Sequence, residues 1–250
     1  MTGFWMAWTM FWIVPCPVKK WDNEKYSQVP LWIPVIGLFI GGLWTLLAFL
    51  LKLAGGLGFF GPVLLFAFCS VMSGFIHLDG FMDCADAVLS HRNLEEKYRI
   101  LKDSTTGAFA VICIILWAVC YFALTANAAL LNTYLYDRFL CLIFIPAAIR
   151  CVSAIAVTAV KPLGTSGYAA SHKNVRPVSI IIPAVILAVC IAVPIVIYGL
   201  PGLCVCAGAF GSFIAVLYLV HNLKGMSGDI SGAAITFGEV CAMAALAFIK

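Results

Sequence analysis

Three aspartates, Asp79, Asp83 and Asp86, stand within eight positions of one another in the stretch HLDGFMDCADAVLSH, which runs from His77 to His91. Only 10% of the chain is Asp, Glu, Lys or Arg, so a cluster this dense departs from its surroundings. On an α-helix the i, i+4, i+7 spacing confines the three carboxylates to an arc of about 60°. Ser90 continues the same stripe. Carboxylates crowded on one helical face repel one another unless something neutralises them. Clustered hard oxygen donors suit Mg²⁺ or another divalent cation. Gly80, Cys84 and Ala85 are small and leave room for a substrate or a neighbouring helix.

The bland alternative is a set of ordinary loop acids at a helix end. Against it, Phe81, Met82, Ala85, Val88 and Leu89 interleave with the acids at helical spacing, which predicts a continuing amphipathic helix. His77 and His91 flank the stripe and could join it, although each reads more simply as a hydrogen-bonded structural residue. The following NLEEKYRILKD aligns Leu94, Tyr98 and Leu101 and predicts a second amphipathic helix on the membrane surface. Asp103, Ser104, Thr105, Thr106 and Gly107 then turn into an apolar run. Asp103 and Ser104 are expected to cap that helix, whose N-terminus could also receive an anion.

Two other polar loops carry candidates. KPLGTSGYAASHKNVRP, from Lys161 to Pro177, suits phosphate contact through backbone amides and cations, while Lys173 and Arg176 taken singly read as topology signals. HNLKGMSGDISG places Lys224, Ser227 and Asp229 among three glycines, which permit close backbone approach. Asp229 reads equally as a helix cap or as a fourth metal carboxylate. Arg150 and Glu239 lie within apolar runs, where an uncompensated charge costs roughly 2.5–3.5 kcal/mol. They are expected to face a cavity or each other, a buried ion pair being the structural alternative.

The elements that must position these groups are membrane helices. The composition is 64% hydrophobic, which excludes an ordinary soluble domain. Seven spans are expected at about 31–53, 57–76, 108–131, 139–160, 178–198, 203–220 and 231–249, each near the length needed to cross about 30 Å of hydrocarbon. A membrane β-barrel would need short alternating segments, and these do not occur. The fold class is therefore all-α, a polytopic helical membrane protein forming a single domain over 1–250. Met1 to Val14 is rich in Trp and Phe without a basic n-region, so an N-terminal interfacial helix or re-entrant piece is expected in place of a cleaved leader.

The loops alternate in charge. Lys19, Lys20, Lys25, Arg92, Lys97, Arg99, Lys102, Lys161, Lys173, Arg176 and Lys224 fall on one side, eleven of the fifteen basic residues. The positive-inside rule makes that side cytoplasmic, and it also holds the acidic stripe. The net charge of +4 gives no argument for nucleic acid. The eleven cysteines mostly sit within apolar runs without a CxxC pair and read as small buried hydrophobes. Clustered carboxylates, glycine-rich loops and cations together suggest metal-dependent phosphoryl chemistry. A Mg²⁺ ion would bridge a pyrophosphate and stabilise a leaving nucleotide, and one carboxylate would accept the proton of an attacking hydroxyl.

With those residues in view, the chain resembles the cobalamin synthase family, the adenosylcobinamide-GDP ribazoletransferases. The resemblance rests on GFIHLDGFMDCADAVLSH (74–91), KDSTTGAFA (102–110), PLWIPVIGLFIGGL (30–43) and KGMSGDISGA (224–233), with Glu239 beyond, in the family's order. It implies that adenosylcobinamide-GDP and α-ribazole, or its 5′-phosphate, are joined to give adenosylcobalamin or its phosphate, with release of GMP. It implies Mg²⁺ dependence, residence in the bacterial inner membrane, and Asp79, Asp83 and Asp86 as metal ligands. Asp229 and Lys224 are expected to act with the stripe, because their loop falls on the same side. Substrate contacts are expected from Lys102, Asp103, Ser104, Arg150, Lys161 and Lys224. The oligomeric state, a homo-oligomer included, is left open. Thr105 departs from the family's usual Arg and Ala87 from its usual Gly; if that Arg holds a phosphate, Arg99 or Lys102 must substitute. A CDP-alcohol phosphotransferase would show an AR pair after its DG, absent here. A transporter would show broken helices in a repeat.

Overall fold

The computed structural model describes residues 1–19, 21–131, 134–163 and 177–249. The described chain is helical, and one isolated parallel bridge between Pro162 and Met226 is its β pairing. Eleven α-helices are named in chain order: α1 (Thr2–Phe11), α2 (Val29–Leu53), α3 (Phe60–Met72), α4 (Ile76–Leu89), α5 (Leu94–Ile100), α6 (Ala108–Ala126), α7 (Tyr134–Asp137), α8 (Cys141–Ala159), α9 (Val178–Tyr198), α10 (Leu203–Leu223) and α11 (Gly228–Phe248). Six helical segments among the described residues are long and apolar enough to cross a membrane, and a bent pair, α3 with α4, makes a seventh candidate. The protein is thus a multi-pass membrane protein.

The expected spans agree with these helices within a few residues, except at 57–76. There the continuous apolar run is broken. Helix α3 has only 13 residues, about 20 Å at 1.5 Å per residue. Gly74 and Phe75 then both take left-handed backbone with φ of 62°, and α4 leaves at 84° to α3. Hydropathy cannot register this break, because Phe75 and Ile76 are as apolar as what precedes them.

Helix α8 lies at the centre, buried along most of its length and packed on α2, α9, α10 and α11. Small residues let the backbones close up, the usual basis of helix association in lipid. A Cβ on Gly37 of α2 would stand 2.8 Å from the Ala147 Cα of α8. One on Gly208 of α10 would stand 2.8 Å from the Ala242 Cβ of α11. Helix α1 is ten residues long, about 15 Å and too short to span. It starts beside Gln28 and ends where the Ile13 N–H donates to the Met72 carbonyl at 2.8 Å. It therefore lines the bend between α3 and α4. Helix α5 is capped by Asn93, which accepts from the Glu96 N–H at 2.9 Å, and carries acids in its first turn and bases in its last.

Candidate active site

Helix α4 carries the acidic stripe. Asp79 is exposed, and Asp83 and Asp86 are half-buried. The helix docks on α11 through two glycines. A Cβ on Gly80 would lie 2.7 Å from the Asp229 Cα, and one on Gly232 would lie 3.1 Å from the His77 Cα. This crossing brings Asp229 beside the stripe. Asp83 interacts electrostatically with Asp79, Asp229 and Asp86, and Asp229 with Asp79. The alternative role for Asp229 falls to its neighbour. Ser227 is the N-cap of α11, its Oγ accepting the Ile230 N–H at 3.3 Å and lying 3.3 Å from Asp229 Oδ2.

Asp86 faces another partner. Its Oδ2 accepts the Gly107 N–H at 2.6 Å and its Oδ1 accepts the Ala110 N–H at 2.9 Å. A carboxylate from α4 thereby caps α6, satisfying amides that the helix leaves open and meeting the positive end of its dipole. Gly107 makes the approach feasible, since a Cβ there would lie 2.6 Å from Asp86 Oδ1. The capping role expected of Asp103 and Ser104 is therefore corrected. The N-cap of α6 is Gly107, which has no side chain, and Asp103 instead accepts the Thr105 N–H at 3.0 Å and the Thr105 hydroxyl at 2.8 Å. Those two bonds hold the Asp103 carboxyl below its ordinary range.

Among the described residues, none of the four aspartates forms an ion pair with Lys, Arg or His. Nor do three or more His, Cys, Asp or Glu side chains converge on one metal-holding point. The donor chemistry nonetheless fits a hard cation: carboxylate oxygens from two helices, one side open to solvent at Asp79, with no cation of the described residues paired to them. His91 is exposed at the end of α4, and His77 is buried and stacked on Phe11 at 6.0 Å between ring centres. Ser90 turns back on its own helix, donating to the Ala87 carbonyl. Ala87 is fully buried in the apolar layer between α4 and helices α10 and α11.

The cationic loops come together at one corner. The Leu163 N–H donates to the Met226 carbonyl at 2.8 Å, and the Met226 N–H donates to the Lys161 carbonyl at 2.9 Å. This pairing fixes Lys161 alongside the loop of Lys224, and that loop leads into Ser227 and Asp229. Both lysines are exposed. Tyr98 of α5 donates to the Leu223 carbonyl at 2.8 Å and ties α5 to the same corner. Lys102 and Ser104 are exposed on the turn between α5 and α6. Lys173 and Arg176 lie outside the described residues.

Arg150 is placed elsewhere than on a substrate surface. It is wholly buried in α8, donating from Nη2 to Ser73 Oγ at 3.0 Å and from Nη1 to the Pro146 carbonyl at 3.2 Å. Nη1 lies 3.9 Å from Glu239 Oε1. The buried ion pair is what the geometry shows, because α8 is enclosed by its neighbours. Through Ser73 the pair reaches the bend that aims α4. Ser153 and Ser231 hydrogen-bond beside it and join α8 to α11.

The chain matches the family described as cobalamin-5-phosphate synthase over residues 3–247. A relative from Clostridium perfringens, named adenosylcobinamide-GDP ribazoletransferase, is 33% identical over 98% of this chain and 96% of its own. Relatives of the same name from Clostridium botulinum and Desulforamulus reducens are 32% and 30% identical, covering 95% and 88% of this chain and 94% and 86% of their own. No solved structure matches it.

Proposed function

The chain belongs to the cobalamin-5-phosphate synthase family, and we propose from that membership that it joins adenosylcobinamide-GDP to α-ribazole or α-ribazole 5′-phosphate. A ribose hydroxyl of the ribazole attacks the phosphorus nearer the cobinamide. The new phosphodiester gives adenosylcobalamin or its phosphate, the bond from that phosphorus to the bridging oxygen breaks, and GMP leaves carrying that oxygen. The hydroxyl proton passes to a carboxylate of the site. The reaction is an enzymatic step at the end of cobalamin assembly. The positive-inside pattern supports a site on the cytoplasmic face of the bacterial inner membrane.

The observation that supports this chemistry is the close approach of Gly80 to Asp229 where α4 crosses α11, which brings Asp79, Asp83 and Asp229 within electrostatic reach of one another, with no cation of the described residues paired to them. Asp79, Asp83 and Asp229 would hold Mg²⁺. Asp86 belongs to the cluster by sequence, but both its oxygens receive backbone N–H groups, and it orients α6 against α4. When bound, Mg²⁺ would supply charge neutralisation for a pyrophosphate and its leaving phosphate. Lys102, Lys161 and Lys224, all exposed, would supply cations to the guanosine-side phosphate.

The test is product analysis with purified protein in detergent. Adenosylcobinamide-GDP and α-ribazole with Mg²⁺ should yield equal amounts of adenosylcobalamin and GMP. Absence of both products sinks the assignment.

A further inference from the structure

Helix α4 carries the aspartate stripe, yet nothing of its own secures its inner end. It follows the left-handed Phe75, and no side chain caps its first turn. At its far end Asp86 ties it to the amides of α6. At the inner end the tie comes from α11. Thr236 is buried there and donates from Oγ1 to the His77 carbonyl at 3.2 Å. His77 stands two residues before Asp79. A threonine inside a helix often donates to the carbonyl four residues back on its own helix. Thr125 and Thr158 do so, to Tyr121 at 2.8 Å and to Ala154 at 2.7 Å. Thr236 reaches across to another helix instead, and its own carbonyl receives Trp117 Nε1 of α6 at 3.3 Å. The three helices are thereby closed into a triangle: α4 to α6 through Asp86, α4 to α11 through Thr236, and α6 to α11 through Trp117. Asp79 and Asp83 lie between the two points at which α4 is held.

We propose that Thr236 is a positioning residue for the reaction: its hydroxyl fixes the register of α4 on α11 and so holds Asp79 and Asp83 beside Asp229. The inference rests on the proposed function and adds to it a group that touches neither substrate nor cation. Gly80 and Gly232 let the two helices close up, but small residues do not by themselves set where along the axis the helices stop. A hydrogen bond is directional and does. A carbonyl oxygen has two lone pairs, so the Thr236 bond adds to the helix's own bonding at His77. Sliding α4 by one residue would carry its carboxylates about 1.5 Å along the axis. A misplacement of about 1 Å can already cost on the order of 100-fold in rate. The Trp117 bond holds Thr236 in turn, so α6 supports the same register from the other side.

The experiment compares Thr236→Val, which keeps the shape and removes the donor, with Thr236→Ser, which keeps the donor, in full-length protein in detergent. Steady-state kinetics with adenosylcobinamide-GDP and α-ribazole should show kcat lowered at least about fivefold in Thr236→Val, with both KM values unmoved. Thr236→Ser should restore kcat. Hydrogen–deuterium exchange of the backbone over residues 77–83 should quicken about threefold in Thr236→Val, the scale of one interhelical hydrogen bond in lipid, and return in Thr236→Ser. A purely structural hydroxyl would lower the thermal midpoint and leave kcat per folded protein alone, and that result overturns the inference. So does a Thr236→Ser variant as slow as Thr236→Val, or unsubstituted exchange in Thr236→Val. Should Thr236→Val not fold, Trp117→Phe removes the α6 tie and keeps a ring. It should shift kcat and exchange in the same direction, and no shift in either overturns the inference. Exchange reads the register without turnover, so a protein that forms no product would strike the proposed reaction while exchange still decides the role of Thr236.

Discussion

Gly80 of α4 lies so close to Asp229 of α11 that a methyl group at position 80 would stand 2.7 Å from the Asp229 Cα and 2.8 Å from its carbonyl oxygen. Both obstacles are backbone, so neither can swing away. The four-residue step from Asp79 to Asp83 straddles this contact, which makes the glycine the hinge of the whole carboxylate group.

Gly80→Ala should therefore push α4 off α11 and separate Asp79 and Asp83 from Asp229. A displacement of about 1 Å at a reacting centre can cost on the order of 100-fold in rate. We expect turnover to fall by at least about tenfold, on the same basis, while membrane insertion is retained. GMP release per mole of folded protein measures it, and wild-type turnover would show that the crossing tolerates the shift.

Asp79→Asn and Asp83→Asn should each reduce GMP release to near background without lowering the yield of folded protein. Each keeps the size of the side chain and removes the charge that a divalent cation requires. Full activity in both would remove the metal from the account.

Asp86 should behave differently. Asp86→Ala leaves the α6 amides of Gly107 and Ala110 without their acceptor and should cost about 1–2 kcal/mol, the scale of a lost N-cap. Thermal unfolding in detergent would show a lower midpoint for Asp86→Ala than for Asp83→Asn. The opposite order would place Asp86 among the reacting groups.

The pair of Arg150 and Glu239 should show a buried-charge signature. Arg150→Met or Glu239→Leu alone should destabilise by about 3–5 kcal/mol, because each leaves a charge unpaired in the interior. The double variant should recover much of that loss. Additive losses would mean that the 3.9 Å separation carries no coupling.

Much of this was readable before the fold was known. The acidic stripe declared itself through helical spacing, and α9 occupies the very residues expected of its span, Val178–Tyr198. What escaped is non-local. The bend after α3 lies in backbone dihedrals at Gly74 and Phe75, and an unbroken apolar run conceals it. Asp86 finds a partner at Gly107, 21 residues on, a contact that its spacing with Asp79 and Asp83 could not announce. Gly80 and Gly232 were the available signal for Asp229, since small residues at matching heights permit two helices to touch. For Arg150, charge in an apolar run predicted a partner correctly, whereas its role toward Ser73 and the bend depends on packing around α8.

The claim at the centre is a divalent cation held where α4 crosses α11. Its most direct test is Mn²⁺ binding, followed by electron paramagnetic resonance, to the purified protein and to Asp83→Asn and Asp229→Asn without substrate. Binding by the unsubstituted protein that is lost or weakened at least about tenfold in both variants, as removal of a charged ligand requires, is the predicted result. Equal Mn²⁺ binding by all three proteins would contradict it.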